Sequence, residues 1–270
     1  MEKRSVLPNN KLSKTRHLSE NPELKGFIPD TIAESKSNLQ AYLTRYRTVY
    51  VKPNNGTGGR GVIRVKIAKD GGYVYQLGKK RHEFRTYDGM YRSLKRFTSR
   101  KPHLVQKGIP LLKIKGRPFD IRIMVQRGPE GRWEHTGTIA RIAHPKRIVT
   151  NYHRGGTPIE LETLLASYLR PKEIPEFVTG LNNLGVRISE HLGKGYPYVT
   201  AVGVDIGLDQ ELKPWIIEVN TKPDPYIFKN LKDKRVFQKI IRYLILNRVE
   251  KQPTAAVPTM GDGLEGVRIP

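Results

Sequence analysis

The chain has 270 residues, and 49 Lys and Arg against 25 Asp and Glu give it a formal net charge of +24, which favours anionic partners. With 37% hydrophobic residues it can build a substantial core, as one large domain or two closely joined lobes. The lack of cysteine excludes disulfides, thiolate nucleophiles and Cys-based zinc sites, and no apolar run suits a signal peptide or a membrane span, so a soluble, cytoplasmic protein is expected.

Residues 1–29 are basic, poor in apolar positions and carry prolines at 8, 22 and 29, which predicts an irregular lead-in with one short helix. Asp30 or Thr31 is placed to cap a helix running through Ala33, Leu39, Tyr42 and Leu43. Residues 48–52 read as a β-rich run stopped by Pro53; a glycine-rich segment, NNGTGGRG, precedes a second strand at 62–65. Gly71 and Gly72 turn the chain into a third at 73–77, and Phe84, Tyr87, Tyr91 and Leu94 recur at helical spacing over 82–97. A short strand at 104–106 leads to two longer ones, 118–126 and 132–143. Helical patterns over 158–169 and 173–192 follow, the second closed by Gly193. Apolar runs around Asp205 and Glu218 make a hairpin about Glu211, and a last helix is lined by Phe237, Ile240, Ile241, Leu244, Ile245 and Val249. The order predicts an α+β fold with antiparallel sheets and helices on one side of them. The expected divisions are a basic lead-in and helix over 1–45, a lobe over 46–105, a lobe over 106–250 and a flexible tail over 251–270.

Three oxygen-bearing side chains stand out in the hairpin. Folding it about Glu211 brings Asp205 opposite 217 or 218, and Glu218 and Asn220, two apart on a strand, share a face. Carboxylates on a buried strand are rarely left unpaired, and hard divalent cations take such oxygen ligands, so a metal patch is favoured over solvated acids. Upstream, Gly56, Gly58, Gly59 and Gly61, with Thr57 and Arg60 between them, make a loop whose backbone N–H groups can approach a polyphosphate, and Lys52 adds a point charge. The loop is not a Walker A sequence, since it lacks the terminal Gly-Lys-Ser/Thr. A glycine-rich turn alone is ordinarily only a turn; Lys52, Arg60 and the distant acidic patch point it towards nucleotide. The segment from Gln106 through Lys107 to Ile109 could offer backbone groups and an apolar wall to a base. Asp120 and Arg122 share a strand face, as do Arg141 and Ala143, for which a simple salt bridge is the plainer reading. The run NYHRGG at 151–156 suggests a ligand loop in which His153 or Arg154 could meet an anion.

In this order the motifs resemble the ATP-grasp ligases, and most of all their YheC/YheD-like, endospore-coat-associated branch. NYHRGG is also similar to the RimK-type glutamate ligases. The resemblance spans roughly residues 12–250. It implies a nucleotide held between two α+β lobes. Lys52 and the 56–61 loop would hold the phosphates, and Gln106, Lys107 and Ile109 would meet the adenine. Asp205 and Asn220 would each hold one Mg²⁺, with Mn²⁺ an admissible substitute, and Glu218 would bridge the two ions. Arg141 and Arg122 would face the transferring phosphate and Asn151 the metal or acyl phosphate, leaving Asp120, His153, Arg154, Gly155 and Gly156 as substrate candidates. Many ATP-grasp ligases carry a preceding α/β domain that helps bind substrate, and only about fifty residues precede Lys52 here, too few for a typical domain.

The implied reaction is an ATP- and Mg²⁺-dependent carboxylate–amine ligation through an acyl phosphate, with an amino acid, a peptide or an acidic polymer as substrate. One alternative is a spore-associated structural protein that binds nucleotide without turnover. A basic nucleic-acid-binding protein ranks third: aromatic residues are 8%, and no helix-turn-helix, zinc or RNA-recognition signature is present.

Overall fold

A computed structural model describes residues 10–56 and 58–249; Thr57 and the expected tail over 251–270 lie outside the described residues. The chain opens with helices α1 (Lys11–Ser19) and α2 (Pro22–Lys25), strand β1 (Thr31–Ala33) and helix α3 (Lys36–Tyr46). Strands β2 (Thr48–Pro53), β3 (Ile63–Ile67), β4 (Tyr73–Leu77) and β5 (Lys80–Phe84) follow, then α4 (Tyr87–Thr98) and β6 (His103–Lys107). Next come β7 (Lys113–Ile114), β8 (Arg117–Arg127), β9 (Trp133–Ile142), β10 (Thr157–Ile159) and α5 (Leu161–Leu165). The long helix α6 (Ile174–Gly195), the hairpin β11 (Ala201–Leu208) and β12 (Pro214–Asn220), and α7 (Lys234–Val249) complete it.

The first sheet runs β1-β6-β2-β3-β4-β5, antiparallel throughout. Alternation along β2 sets its two faces. Val49 and Val51 pack on Leu39 and Leu43 of α3 and on Met90 and Leu94 of α4, which leaves Tyr50 and Lys52 on the opposite face. Both helices start at side-chain caps: Ser35 accepts the Asn38 amide at 3.1 Å and Thr86 the Gly89 amide at 3.2 Å. The second sheet runs β10-β9-β8-β11-β12, with β7 against the start of β8. On β8, Phe119, Ile121, Ile123 and Val125 join the core under α6, and Met124 packs on the other side against Phe228, Leu231 and Ile240. Gly185 permits the close seating of α6, because a Cβ there would lie 2.8 Å from Ile123 Cγ2.

Several expectations need correction. Thr31 does not cap a helix; it begins β1, which pairs with β6, and Ser35 caps α3 instead. Phe84 closes β5, so the helix starts at Tyr87 rather than 82. Residues 157–159 are a strand, and only Leu161–Leu165 of the expected 158–169 helix forms. Helices cover both faces of the second sheet, not one. The lead-in is also no loose preface: it holds two helices, and Leu18 and Leu24 lie in the second sheet's core at 2% and 0% exposure. The first sheet in turn draws on residues either side of 46–105, from β1 to Lys107.

Candidate functional site

A cleft of about 440 Å³ separates the two sheets. Tyr50 and Lys52 of β2 form part of one wall; Asp205 of β11 and Ile217 and Glu218 of β12 form part of the other. The glycine loop covers one side, with Gly56, Gly59 and Arg60 on the lining, and residues 106–111 and 148–151 complete it. Gly58, Gly59 and Gly61 have φ of 67°, 67° and 72°, a left-handed backbone that side chains rarely adopt, so the loop's path depends on glycine. At Gly59 the lack of a side chain matters twice, because a Cβ would run into the Asn151 side chain.

The loop is anchored from the N-terminal side as well. The Lys11 and Leu12 amides of α1 donate to the backbone and side-chain oxygens of Asn54, each at 2.9 Å. Lys11 Nζ donates to the Gly56 carbonyl at 2.6 Å and lies 3.1 Å from the Glu218 carboxylate. One turn on, the buried Lys14 donates to the Val219 carbonyl at 2.6 Å. Lys52 donates to Gln106 Oε1 at 2.5 Å and to the Ile217 carbonyl at 3.3 Å. Three ammonium groups therefore surround the strand segment 217–219. Burial pulls Lys52 down to about 8, against the upward pull of Glu218 and Asp205, with Lys11 lowering it further. Lys14 falls to about 8 for the same first reason, Glu218 opposing and Lys11 assisting. Sequence reasoning missed Lys11 and Lys14; the Asn10 cap followed by lysines three apart was the available signal.

Behind the cleft wall lies a buried network of two carboxylates and two guanidiniums. Arg122 grips Asp205 with Nε to Oδ1 and with Nη2 to Oδ2 at 3.0 Å. Arg141 reaches Asp205 Oδ1 at 3.0 Å and holds Asp120 through Nε at 2.8 Å and Nη2 at 2.5 Å; Thr150 adds a hydroxyl to Asp120 at 2.6 Å. Burial alone would raise the Asp205 pKa, but the two arginines outweigh it and hold the carboxyl ionised. For Arg141, burial is opposed and outweighed by Asp120 and Asp205, so it stays charged.

The hairpin register sets Asp205 opposite Glu218, and the Asn220 amide lies 3.5 Å from Asp205 Oδ2, so the structure does bring these three together. They suit a divalent cation unequally. Glu218 lines the cleft with one ammonium partner, whereas both oxygens of Asp205 already accept from guanidinium. Arg122 and Arg141 are buried behind the acids rather than on the cleft lining, while Asp120 and Asn151 are on it. Gln106 serves here by its side chain, which holds Lys52 and donates to Thr31. The Lys107 and Gly108 amides are engaged by the Asp30 and Thr48 carbonyls; Ile109 lines the cleft, and Lys107 Nζ sits 5.0 Å over the Trp215 ring. His153 is largely exposed and pairs with Asp224 at 2.7 Å. Arg154 borders a smaller pocket behind the glycine loop, and Gly155 and Gly156 shape the turn over Thr150. These four are not brought to the cleft lining.

A glycine loop and an acidic hairpin facing each other across two antiparallel sheets describe a known family, whose pattern, "YheC/D like ATP-grasp", matches residues 6–247. The chain belongs to this ATP-grasp family. It is 27% identical over 230 residues to the endospore coat-associated protein YheD of Bacillus subtilis (strain 168), covering 82% of this chain and 49% of YheD. The chain thus spans about half the length of the curated relatives it matches. Among solved structures, D-cycloserine synthetase DcsG superposes with a TM-score of 0.54 at 12% identity, over 88% of this chain and 70% of DcsG. The biotin carboxylase domain of the Hydrogenobacter thermophilus 2-oxoglutarate carboxylase, solved with MgADP, ADP and bicarbonate, gives 0.51 at 16% identity, over 88% of this chain and 46% of that one. At these identities the likeness shows the fold.

Proposed function

We propose that this family member is an ATP- and Mg²⁺-dependent carboxylate–amine ligase working through an acyl phosphate. The observation that carries the reading is the opposition of glycine loop and Glu218 across a cleft lined by Lys11 and Lys52, with Lys14 buried against Val219 outside the lining. A polyphosphate laid there meets backbone N–H groups, Arg60 and the ammonium groups of Lys11 and Lys52. In this reading the two sheets are the two lobes, and Ile109 and Tyr50 border the base. Glu218 is the principal metal ligand, with Asp205 and Asn220 beside it; bound Mg²⁺ supplies charge neutralisation during phosphoryl transfer. Arg122 and Arg141 keep Asp205 ionised and in place, and Asn151 orients the loop against the transferring group. The acceptor is an amino acid, a peptide or an acidic polymer, in keeping with the +24 charge, and the endospore-coat description of YheD supports a spore association.

Incubation with ATP, Mg²⁺, hydroxylamine and a panel of carboxylic acids should yield a hydroxamate with at least one acid. Tight ATP binding with no hydroxamate from any of them overturns ligase turnover. That outcome would favour the second reading, a nucleotide-binding spore protein without catalysis, which the engagement of both Asp205 oxygens by arginine supports.

A further inference from the structure

Behind the glycine loop lies a second hollow, of about 230 Å³. It shares Gly59, Val62, Ile148 and Val149 with the cleft lining, so a single wall of chain separates the two beside the phosphate loop. The turn after β4 borders it as well, tied down by the Gln76 side-chain amide, which donates to the Lys146 carbonyl at 3.2 Å. Arg147 and Arg154 line this hollow, and both are half-buried. Among the described residues neither guanidinium has an ion pair or a side-chain hydrogen bond. Partly desolvated guanidiniums ordinarily find acceptors for their N–H donors. Elsewhere in this chain they do: Arg117 donates to the Ala143 carbonyl at 2.7 Å, and Arg122 and Arg141 hold carboxylates. The surrounding field has one sign. Desolvation lowers the His144 pKa, Lys79, Arg147, Arg117 and Lys146 lower it further, and no acid acts against them. The lining itself includes no carboxylate.

We propose that this hollow anchors a second acid group of an acidic peptide chain whose reacting carboxylate lies in the cleft. The proposal rests on the ligase reading, in which the cleft activates a carboxylate, and adds that this carboxylate belongs to a longer polyacid. Guanidinium forks match carboxylates at two points, which suits Arg147 and Arg154 to such a group. The wall between the hollows keeps one small acid from filling both, so the anchored group sits on a different unit of the chain from the reacting one. The exposed Lys79 and Lys146 extend the positive field outward and draw further acid groups to the rim. No aromatic side chain lines the hollow to stack a base, which favours peptide over single-stranded nucleic acid.

The test follows binding of fluorescein-labelled hexaglutamate to the full chain by anisotropy, without ATP, at about 0.15 M salt, where diffuse surface attraction is screened. Wild type should bind. Arg147→Gln combined with Arg154→Gln should weaken binding at least about tenfold, the size expected for two lost charge-assisted contacts. That variant should keep its wild-type circular dichroism, since neither guanidinium bonds another described group. A control that removes two exposed charges on neither lining, Lys172→Gln with Lys194→Gln, should change affinity by less than about twofold. Equal losses in the two double variants would mean diffuse attraction and overturn the proposal, as would a wild-type chain that does not bind the peptide. A single-stranded oligodeoxynucleotide of equal charge should compete poorly; displacement of the peptide at lower concentrations would assign the hollow to nucleic acid instead. The two readings fail separately. Peptide binding with no hydroxamate from any acid would sink ligase turnover and leave the anchoring site, whereas hydroxamate formation with no peptide binding would sink the anchoring site alone.

Discussion

Lys11 and Glu218 face each other with only 14% and 18% of their side chains exposed, so neither charge is neutralised by water alone. Any cation that binds Glu218 must share it with that ammonium, and Glu218→Gln removes the attraction for both. We expect this variant to lose ATP turnover by about two orders of magnitude or more, a size typical for removal of an electrostatic transition-state contact. Its circular dichroism should stay at wild type because the amide keeps the side chain's shape, while its thermal midpoint should fall modestly because Lys11, Lys14 and Lys52 lose a counter-charge. Wild-type turnover by this variant would remove Glu218 from the metal site. The lysines supply a second prediction. Lys52 and Lys14 sit near 8 rather than the usual 10.5, so the folded protein holds fewer protons than the unfolded chain between those values. Across that window these two groups therefore add to stability as pH rises. Lys52, on the cleft lining, meets phosphate as the protonated ammonium, so nucleotide affinity should be full below about pH 8 and fall as pH rises through it. Calorimetric titration with ATP at a series of pH values checks the sign; affinity flat or rising across about 8 would detach Lys52 from the phosphates.

At the scale of elements, the glycine loop and α1 decide most. Gly59→Ala places a Cβ against Asn151 and asks alanine to hold φ near 67°, a backbone cost of about 1–2 kcal/mol. The loop is solvent-facing, so that cost should be relieved by its displacement. Nucleotide affinity should then fall at least tenfold while the unfolding midpoint changes little, a split read by ATP titration and urea melts on one sample. Leu24→Ala should do the reverse: fully buried under the second sheet, its loss should cost about 2–5 kcal/mol in urea unfolding. A cost near zero would mean α2 is not part of that core. These two elements also mark where the sequence was legible. Apolar β-rich runs bounded by turn residues gave β2, β8 and the β11–β12 hairpin, and folding that hairpin about Glu211 put Asp205 opposite 217 or 218, of which the register takes Glu218. The one short helix expected in the lead-in could not be placed at α1, since a lysine, Lys14, sits on its buried face and is stabilised by the distant Val219 carbonyl. Strand β1 was missed because three residues carry too little pattern, and its Thr31 also suits a helix cap.

At the scale of the whole molecule, local reading found which residues gather at the cleft better than what each touches there. Lys52, Glu218 and the loop glycines were recognisable from chain order. That Arg122 and Arg141 clamp Asp205 and Asp120 depends on three strands, β8, β9 and β11, lying side by side. No spacing along the chain encodes that adjacency. His153 to Gly156 lie off the cleft lining for the same reason, since their placement follows the Thr150 turn and Asp224. The first and last helices of the described residues are also unequal. The α1 segment is stitched to Asn54 and Gly56 at its first residues and to the second sheet's core a few residues later. Handling the protein at the bench inherits this asymmetry. A bulky group attached on α1 itself pulls directly on the strap over the glycine loop, whereas one attached on α7 hangs from the opposite face of the second sheet. Protein carrying the group on α1 should bind ATP several-fold more weakly than protein carrying it on α7, and release of the group should abolish the difference. Equal affinities before release would show that the strap carries no strain to the loop.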